Sequence, residues 1–295
     1  MSSTFHSELT GPASDPLQQA TPAEPHYPPV YPTGQPVEPP PTRRRRGEGL
    51  RSILTAPATY ALVAINIAVF LWMWHAGVSP RNPTPDDLIR FGANNSELVL
   101  SGEWWRIITA MFVHVGLIHL ATNMWCLWNL GLLGEPLLGP FGIFAVYVLS
   151  GAAGNLLSMA WNVVARTEGQ VGAGASGAVF GLAGILIVLL SNKRLSEARN
   201  GFPGIPWFEL RALRKSVIQF AALNLVIGLG TIFVDIIRID NMAHLGGFVS
   251  GLAMGVPLVP RMTSGRTNYL QRQRLAFGFS AFVLALFGYF ISYLR

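Results

Sequence analysis

The sequence predicts an all-α polytopic membrane protein with seven transmembrane spans behind a disordered N-terminal tail. Three observations carry this expectation. Only 12% of the 295 residues are charged and 51% are hydrophobic, whereas a soluble domain carries about 25% charge. Apolar runs close to the roughly 20 residues needed to cross a bilayer recur along the chain. Lys and Arg gather on one side of those runs, as cytoplasmic loops do.

Residues 1–42 hold 11 of the 21 prolines and end in EPPPT. Such a segment cannot bury a core and is expected to be disordered. Its PPVY stretch at 28–31 matches a WW-ligand pattern, but a tail so rich in proline produces that match by chance. A basic run, RRRR at 43–46, follows. The N-terminus lacks the charged-then-apolar pattern of a cleaved secretory signal.

The apolar runs are 57–76, 109–133, 137–161, 174–190, 217–233, 242–259 and 275–294, the fourth and fifth being short. Counting Lys and Arg on alternate sides gives five in the tail, six in 191–216 and four in 260–274, against six on the other side. The tail is therefore expected in the cytoplasm and the C-terminus outside, in a multi-pass protein of the plasma membrane. Topology accounts for the net charge of +6, and no nucleic-acid partner is needed. The outer loop 77–108 ends in GEWWRIIT, whose Trp104, Trp105 and Arg106 suit a segment at the membrane interface. The single cysteine, Cys126, permits neither a disulfide framework nor a cysteine-based zinc site; no metal or cofactor is expected.

Strongly polar side chains inside spans are costly and mark functional sites by default. His119, Asn123, Ser176 and His244 stand out, on the second, fourth and sixth spans, which run parallel. At about 1.5 Å rise per residue, Ser176, His119 and His244 lie roughly 21–22 Å above the cytoplasmic ends of their spans. All three then sit just below the outer surface of a hydrocarbon core about 30 Å thick. Asn123, four residues after His119, shares its helix face one turn deeper. Taken singly, a membrane serine bonds back to its own helix and a buried His or Asn joins helices. Convergence at one depth favours a site.

Glycines strengthen that reading. Gly247, Gly251 and Gly255 recur at four-residue spacing in the sixth span, and the fourth offers Gly177, Gly181 and Gly184. Small residues so spaced let two helix backbones approach closely, bringing Ser176 within reach of His244. Two decoys fall away. Gly172, Gly174 and Gly177 match a dinucleotide fingerprint without a preceding strand or βαβ unit. Ala178 stands where a hydrolase nucleophile elbow requires glycine.

A serine needs a base to become a nucleophile, and His244 is the best placed. Acyl transfer also needs donors aimed at the developing oxyanion. Ser176 begins its helix, where N–H groups are unpaired and the dipole favours negative charge, and His119 and Asn123 can add donors. No acidic residue lies in a span to orient His244, so a Ser–His dyad is expected rather than a triad.

Four stretches occur in order along the chain: WR at 105–106, HVGLIHLATN at 114–123, GASG at 174–177 and AHLGGFVSG at 243–251. In these motifs and their order, over roughly residues 57–259, the sequence closely resembles the rhomboid family of intramembrane serine proteases. The resemblance implies Ser176 as nucleophile, His244 as general base, and His119, Asn123 and the Ser176 amide as the oxyanion hole, with Gly174 in the loop before the serine. Phe180 stands where many members have a tyrosine packed on the histidine. The implied organisation is a cytoplasmic tail (1–50), a six-helix protease core (51–260) and a linker with a seventh helix (261–295).

The expected function is an endopeptidase that cleaves transmembrane segments of other membrane proteins from a water-filled cavity open to the outside. The loop 166–173 would fold in above Ser176, and substrate would enter past the short fifth span. An inactive rhomboid-like protein that binds membrane clients is disfavoured because Ser176 and His244 are both present. A transporter or channel would place polar residues on both halves of an inverted repeat, and the odd-numbered spans offer little beyond Asn66 and Asn155.

Overall fold

The first long helix, α1 (Pro57–His75), opens on a proline, whose missing N–H costs nothing at that position. Its next two amides are capped from afar. In a computed structural model of the protein, the Glu135 carboxylate accepts from Ala58 N at 2.9 Å, Thr59 N at 2.8 Å and Thr59 Oγ1 at 2.7 Å. A carboxylate only 2% exposed is tolerable because three donors and the positive end of a helix surround it. Farther along α1, Asn66 Nδ2 donates to Tyr147 Oη at 2.9 Å, and that hydroxyl donates to Met111 O at 3.1 Å.

The structure describes residues 56–167, 169–197, 204–230 and 240–293. The proline-rich tail with its PPVY and basic runs, the end of the fifth apolar run at 231–233, and Arg199, Arg238 and Arg295 lie outside the described residues. So does Glu168, within the loop 166–173. The described residues belong to one unit, Arg46–Arg295.

The segment after α1 folds into short pieces: α2 (Pro85–Arg90), β1 (Asn94–Asn95), α3 (Ser96–Leu100), α4 (Arg106–Thr109) and a 3-10 turn (Ala110–Phe112). Arg106 ties them together. Its guanidinium bonds Glu103 at 2.7 Å, Ile89 O at 2.6 Å and Ala93 O at 3.2 Å. Trp104 and Trp105 remain exposed while Arg106 is buried, so the cation of this motif turns inward rather than toward the interface.

Next comes α5 (Leu117–Ala165), which breaks at Gly139 (φ 72°) into two limbs, 117–138 and 140–165. Left-handed backbone is accessible to glycine, and Pro140 supplies no N–H to carry the ladder across. α6 (Ser176–Leu189) follows β2 (Val171–Gly172), and β2 pairs antiparallel with β1. Then come α7 (Trp207–Gly230), α8 (Asn241–Gly255) and α9 (Arg266–Ile291).

Among the described residues three helices, α1, α5 and α9, are long and apolar enough to cross a membrane, and α6 is a shorter apolar helix. Several boundaries differ from the sequence expectation. Residues 109–116 are not part of the second span's helix, which starts at Leu117 after Gly116 (φ 111°). The turn expected at 134–136 is helical, because Glu135 points into the core to cap α1, and the break falls at Gly139. The fifth helix is not short at its start. It begins at Trp207 rather than 217, through a charged turn containing Arg211, Arg214 and Lys215. α9 likewise begins at Arg266, nine residues before the apolar run.

The core of the fold is α6 sandwiched against α8 and the second limb of α5. A Cβ on Gly247 would collide with Gly177 O, and one on Gly251 with Gly181 O. Contact continues a turn further, where Gly255 meets Val188 and Ile185. On the other side, a Cβ at Gly154 would lie 2.5 Å from Ala243 O, and one at Gly246 would lie 2.8 Å from Ala153 O. Three backbones therefore meet at Gly154, Gly177 and Ala243, within the first turns of α6 and α8.

Candidate active site

The sequence-predicted polar residues occupy the beginnings of three helices. Ser176 is the first residue of α6, His119 the third of α5 and His244 the fourth of α8. The glycine contact sets α6 on α8 at this level, with Gly177, directly after Ser176, against Ala243, directly before His244. His244 is buried, and its ring stacks on Phe180, with centroids 4.4 Å apart and planes inclined by 17°. Phe180 lies one turn below Ser176 on α6, so the two share a helix face. Ser176 is half-buried. No hydrogen bond joins Ser176 to His244 among the described residues, and His244 Nδ1 is buried without a partner.

The nearest carboxylate on this helix, Asp240, is engaged elsewhere. It caps α8 by accepting from Ala243 N at 2.9 Å and accepts a hydrogen bond from the Ser158 hydroxyl at 2.5 Å. Its work is to start the helix.

The loop before Ser176 is held at three points. The β1–β2 pair fixes Val171 and Gly172 opposite Asn95 and Asn94. Gly174 N donates to Ala110 O at 2.9 Å. Ala175 N donates to His114 Nε2 across a long 3.5 Å, while His114 Nδ1 faces Phe112 O at 3.2 Å. These contacts assign His114 the Nδ1–H tautomer, donating from one nitrogen and accepting at the other. His114 is fully buried. It stood in the quoted 114–123 stretch without a role, and a contact across sixty residues leaves no local signal. Gly154, Gly246 and Asp240 were missed for the same reason.

His119 comes up beneath this loop. Gly174 has φ 127°, and a Cβ there would sit 3.0 Å from His119 Nε2. Both the backbone conformation and the close approach require glycine. His119 Nδ1 accepts from Val115 N at 3.4 Å. Asn123 is buried, and its Nδ2 donates to His119 O at 2.8 Å, leaving the second amide hydrogen of the group available. The first N–H groups of α6 have no intrahelical acceptor. The arrangement thus gathers a serine, a stacked imidazole, a second imidazole, an amide donor and a helix N-terminus. Among the described residues no group of three His, Cys, Asp or Glu side chains could hold a metal ion.

The family described as "Rhomboid domain" matches residues 101–261, a stretch that contains every residue named above except Asn94 and Asn95. The chain is 31% identical to "Rhomboid protease GluP" of Bacillus subtilis over 204 residues, 68% of this chain and 35% of that protein. It is 31% identical to "Rhomboid protease AarA" of Providencia stuartii over 211 residues, 68% of this chain and 72% of the relative. "RHOMBOID-like protein 5" of Arabidopsis thaliana is 35% identical over 188 residues, 63% of this chain and 54% of that protein. The chain thus spans about a third of the Bacillus relative's length.

Proposed function

The chain belongs to the rhomboid family, and on that premise we propose that it is an intramembrane serine endopeptidase that cuts transmembrane segments of other membrane proteins. Ser176 is the nucleophile and His244 the general base. His244 Nε2 takes the Ser176 hydroxyl proton as Oγ attacks the scissile carbonyl carbon. The oxyanion forms opposite the Ser176 N–H, the free hydrogen of the Asn123 amide and the His119 ring, at the positive end of α6. Collapse expels the amine, which leaves with the proton from His244. Water, deprotonated by the same imidazole, then hydrolyses the acyl-enzyme. The observation that supports this reading is the close approach of Gly177, directly after Ser176, to Ala243, directly before His244.

In this reading the chain crosses the plasma membrane seven times, the two limbs of α5 counting separately, with the tail in the cytoplasm and the C-terminus outside. The loop 166–173 covers Ser176 from the outer side and lines a wet cavity, the setting in which irregular backbone is tolerated at membrane depth. Substrate enters sideways past α7.

The test is cleavage of a fluorogenic transmembrane substrate by the purified protein in lipid vesicles, with labelling by a fluorophosphonate probe. Wild-type protein should turn over substrate and carry the probe on Ser176, and Ser176→Ala and His244→Ala should do neither while remaining folded. Turnover by Ser176→Ala at the wild-type rate would end the proposal. Client binding by wild type without turnover or labelling would favour an inactive relative.

A further inference from the structure

α9 leaves a groove where it lies against α8 and the second limb of α5. The cavity measures about 700 Å³ and is lined by Leu149, Ala253, Met254, Ala276, Phe279 and Val283. This is within the range of sites that enclose one small ligand. One end carries Arg272. Its Nε donates to Pro257 O at 2.8 Å, which fixes the stem and leaves the two Nη groups free to point onward. Arg272 is exposed and pairs with no carboxylate among the described residues. From Arg272 to Val283 the helix rises about 16 Å, close to half of a hydrocarbon core about 30 Å thick. The groove is therefore one leaflet long, apolar along its length, with a fixed guanidinium at its mouth.

We propose that this groove binds an anionic phospholipid, an acyl chain lying between α8 and α9 and the phosphate held by Arg272. A guanidinium fork matches phosphate oxygens in a bidentate manner, and a long basic side chain at a helix end reaches the headgroup level. Charge separates this groove from a second one of about 510 Å³ between α9 and the second limb of α5, lined by Trp104, Leu156 and Tyr289 among others. No charged side chain lines that second groove, so it offers a phosphate no cation. The lipid would fill the gap between α9 and α8, since α9 is anchored mainly on α5, through Gln273 Nε2 donating to Leu138 O at 2.8 Å, the Phe141–Phe277 ring pair and the cluster of Ile291 with Leu156 and Met159. The proposal is independent of the catalytic assignment.

The experiment is native mass spectrometry of the delipidated full chain, titrated with phosphatidylglycerol or phosphatidylcholine of identical acyl chains. Phosphatidylcholine offers the same phosphate but pairs it with its own quaternary ammonium, so wild type should retain one phosphatidylglycerol at about tenfold lower concentration, the effect of one charge-assisted contact that no headgroup cation competes for. Arg272→Gln should erase the preference. Ala253→Phe, which fills the exposed wall of the groove and leaves Arg272 in place, should erase it as well. Equal retention of the two lipids by wild type would overturn the proposal. So would preference surviving in Ala253→Phe, since the charge alone would then be the attractor. A phosphatidylglycerol-dependent rise in the thermal midpoint of wild type, lost in Ala253→Phe, is the second expected readout, and its absence counts against the groove.

Discussion

The ring of His244 lies flat on that of Phe180, 4.4 Å between centroids. With Nδ1 of His244 unpartnered and Asp240 occupied by Ser158 and the α8 amide, ring stacking is the contact that fixes the imidazole plane. In the proposed dyad the aromatic face would do the orienting that a carboxylate performs in a triad.

A leucine at 180 keeps the site apolar but removes the stack. Aromatic pairs are worth about 0.5–1.5 kcal/mol beyond burial, so Phe180→Leu should lower kcat about 2–10-fold at little change in KM. Phe180→Tyr keeps the stack and should retain most of the wild-type rate. Equal kcat for wild type and Phe180→Leu, measured on a transmembrane substrate, would remove the ring from the mechanism.

His114 works one step further out. Its imidazole links Phe112 O to Ala175 N and lies 5.4 Å from the His119 ring, centroid to centroid; in the proposed mechanism it is a positioning residue for the loop before Ser176. His114→Leu leaves the Ala175 amide without an acceptor, at about 1–3 kcal/mol. The expected result is slower fluorophosphonate labelling of Ser176 and a lower thermal midpoint together. A purely structural role would lower the midpoint and leave the labelling rate of the folded fraction unchanged.

Packing of α6 on α8 gives a sharper contrast. At Gly251 a Cβ already collides with Gly181 O, so Gly251→Leu must drive the helices apart and separate Ser176 from His244. Overpacking typically costs about 1–3 kcal/mol, and more where backbone must shift. Activity should be lost and the thermal midpoint should fall, while Leu252→Ala, at a half-buried position, should be milder. Full activity and midpoint for Gly251→Leu would refute the close contact.

The parts of this fold that were legible in the sequence are those governed by local pattern. Glycine spacing in the sixth apolar run anticipated the contacts of Gly247 and Gly251, and the start of the fourth run anticipated a helix opening at Ser176. Hydropathy located the later, apolar parts of α7 and α9 but not their charged first turns, because a helix can continue where apolar character does not. The gap between the second and third apolar runs, at 134–136, is not the break between helices, since the tertiary placement of Thr59 makes Glu135 a buried cap and the break falls at Gly139. The family resemblance at 114–123 pointed to the right stretch. The tether of His114 to Ala175 depends on two segments far apart in sequence, which no periodicity encodes.

Asn123 supplies the most specific test of the proposed oxyanion hole. Its Nδ2 already gives one hydrogen to His119 O, one turn earlier on α5, which fixes the amide plane and leaves one hydrogen to aim at the reacting carbonyl. A donor of this kind, held before the reaction starts, acts on the charge that develops in the transition state and hardly at all on bound substrate. Its loss therefore belongs in kcat rather than KM, and removing one oxyanion donor costs about 10²–10³ in rate. Asn123→Ala should show that fall with KM nearly unchanged. Asn123→Asp should be at least as slow, because it replaces the donor with an acceptor of similar shape and adds negative charge where negative charge must form. The same comparison at His119 separates two donors from one: if each single variant loses little and the double variant loses the full factor, the donors substitute for one another. If the double variant still turns over substrate at the wild-type rate, neither side chain serves the oxyanion, and the N-terminus of α6 would have to stabilise it alone.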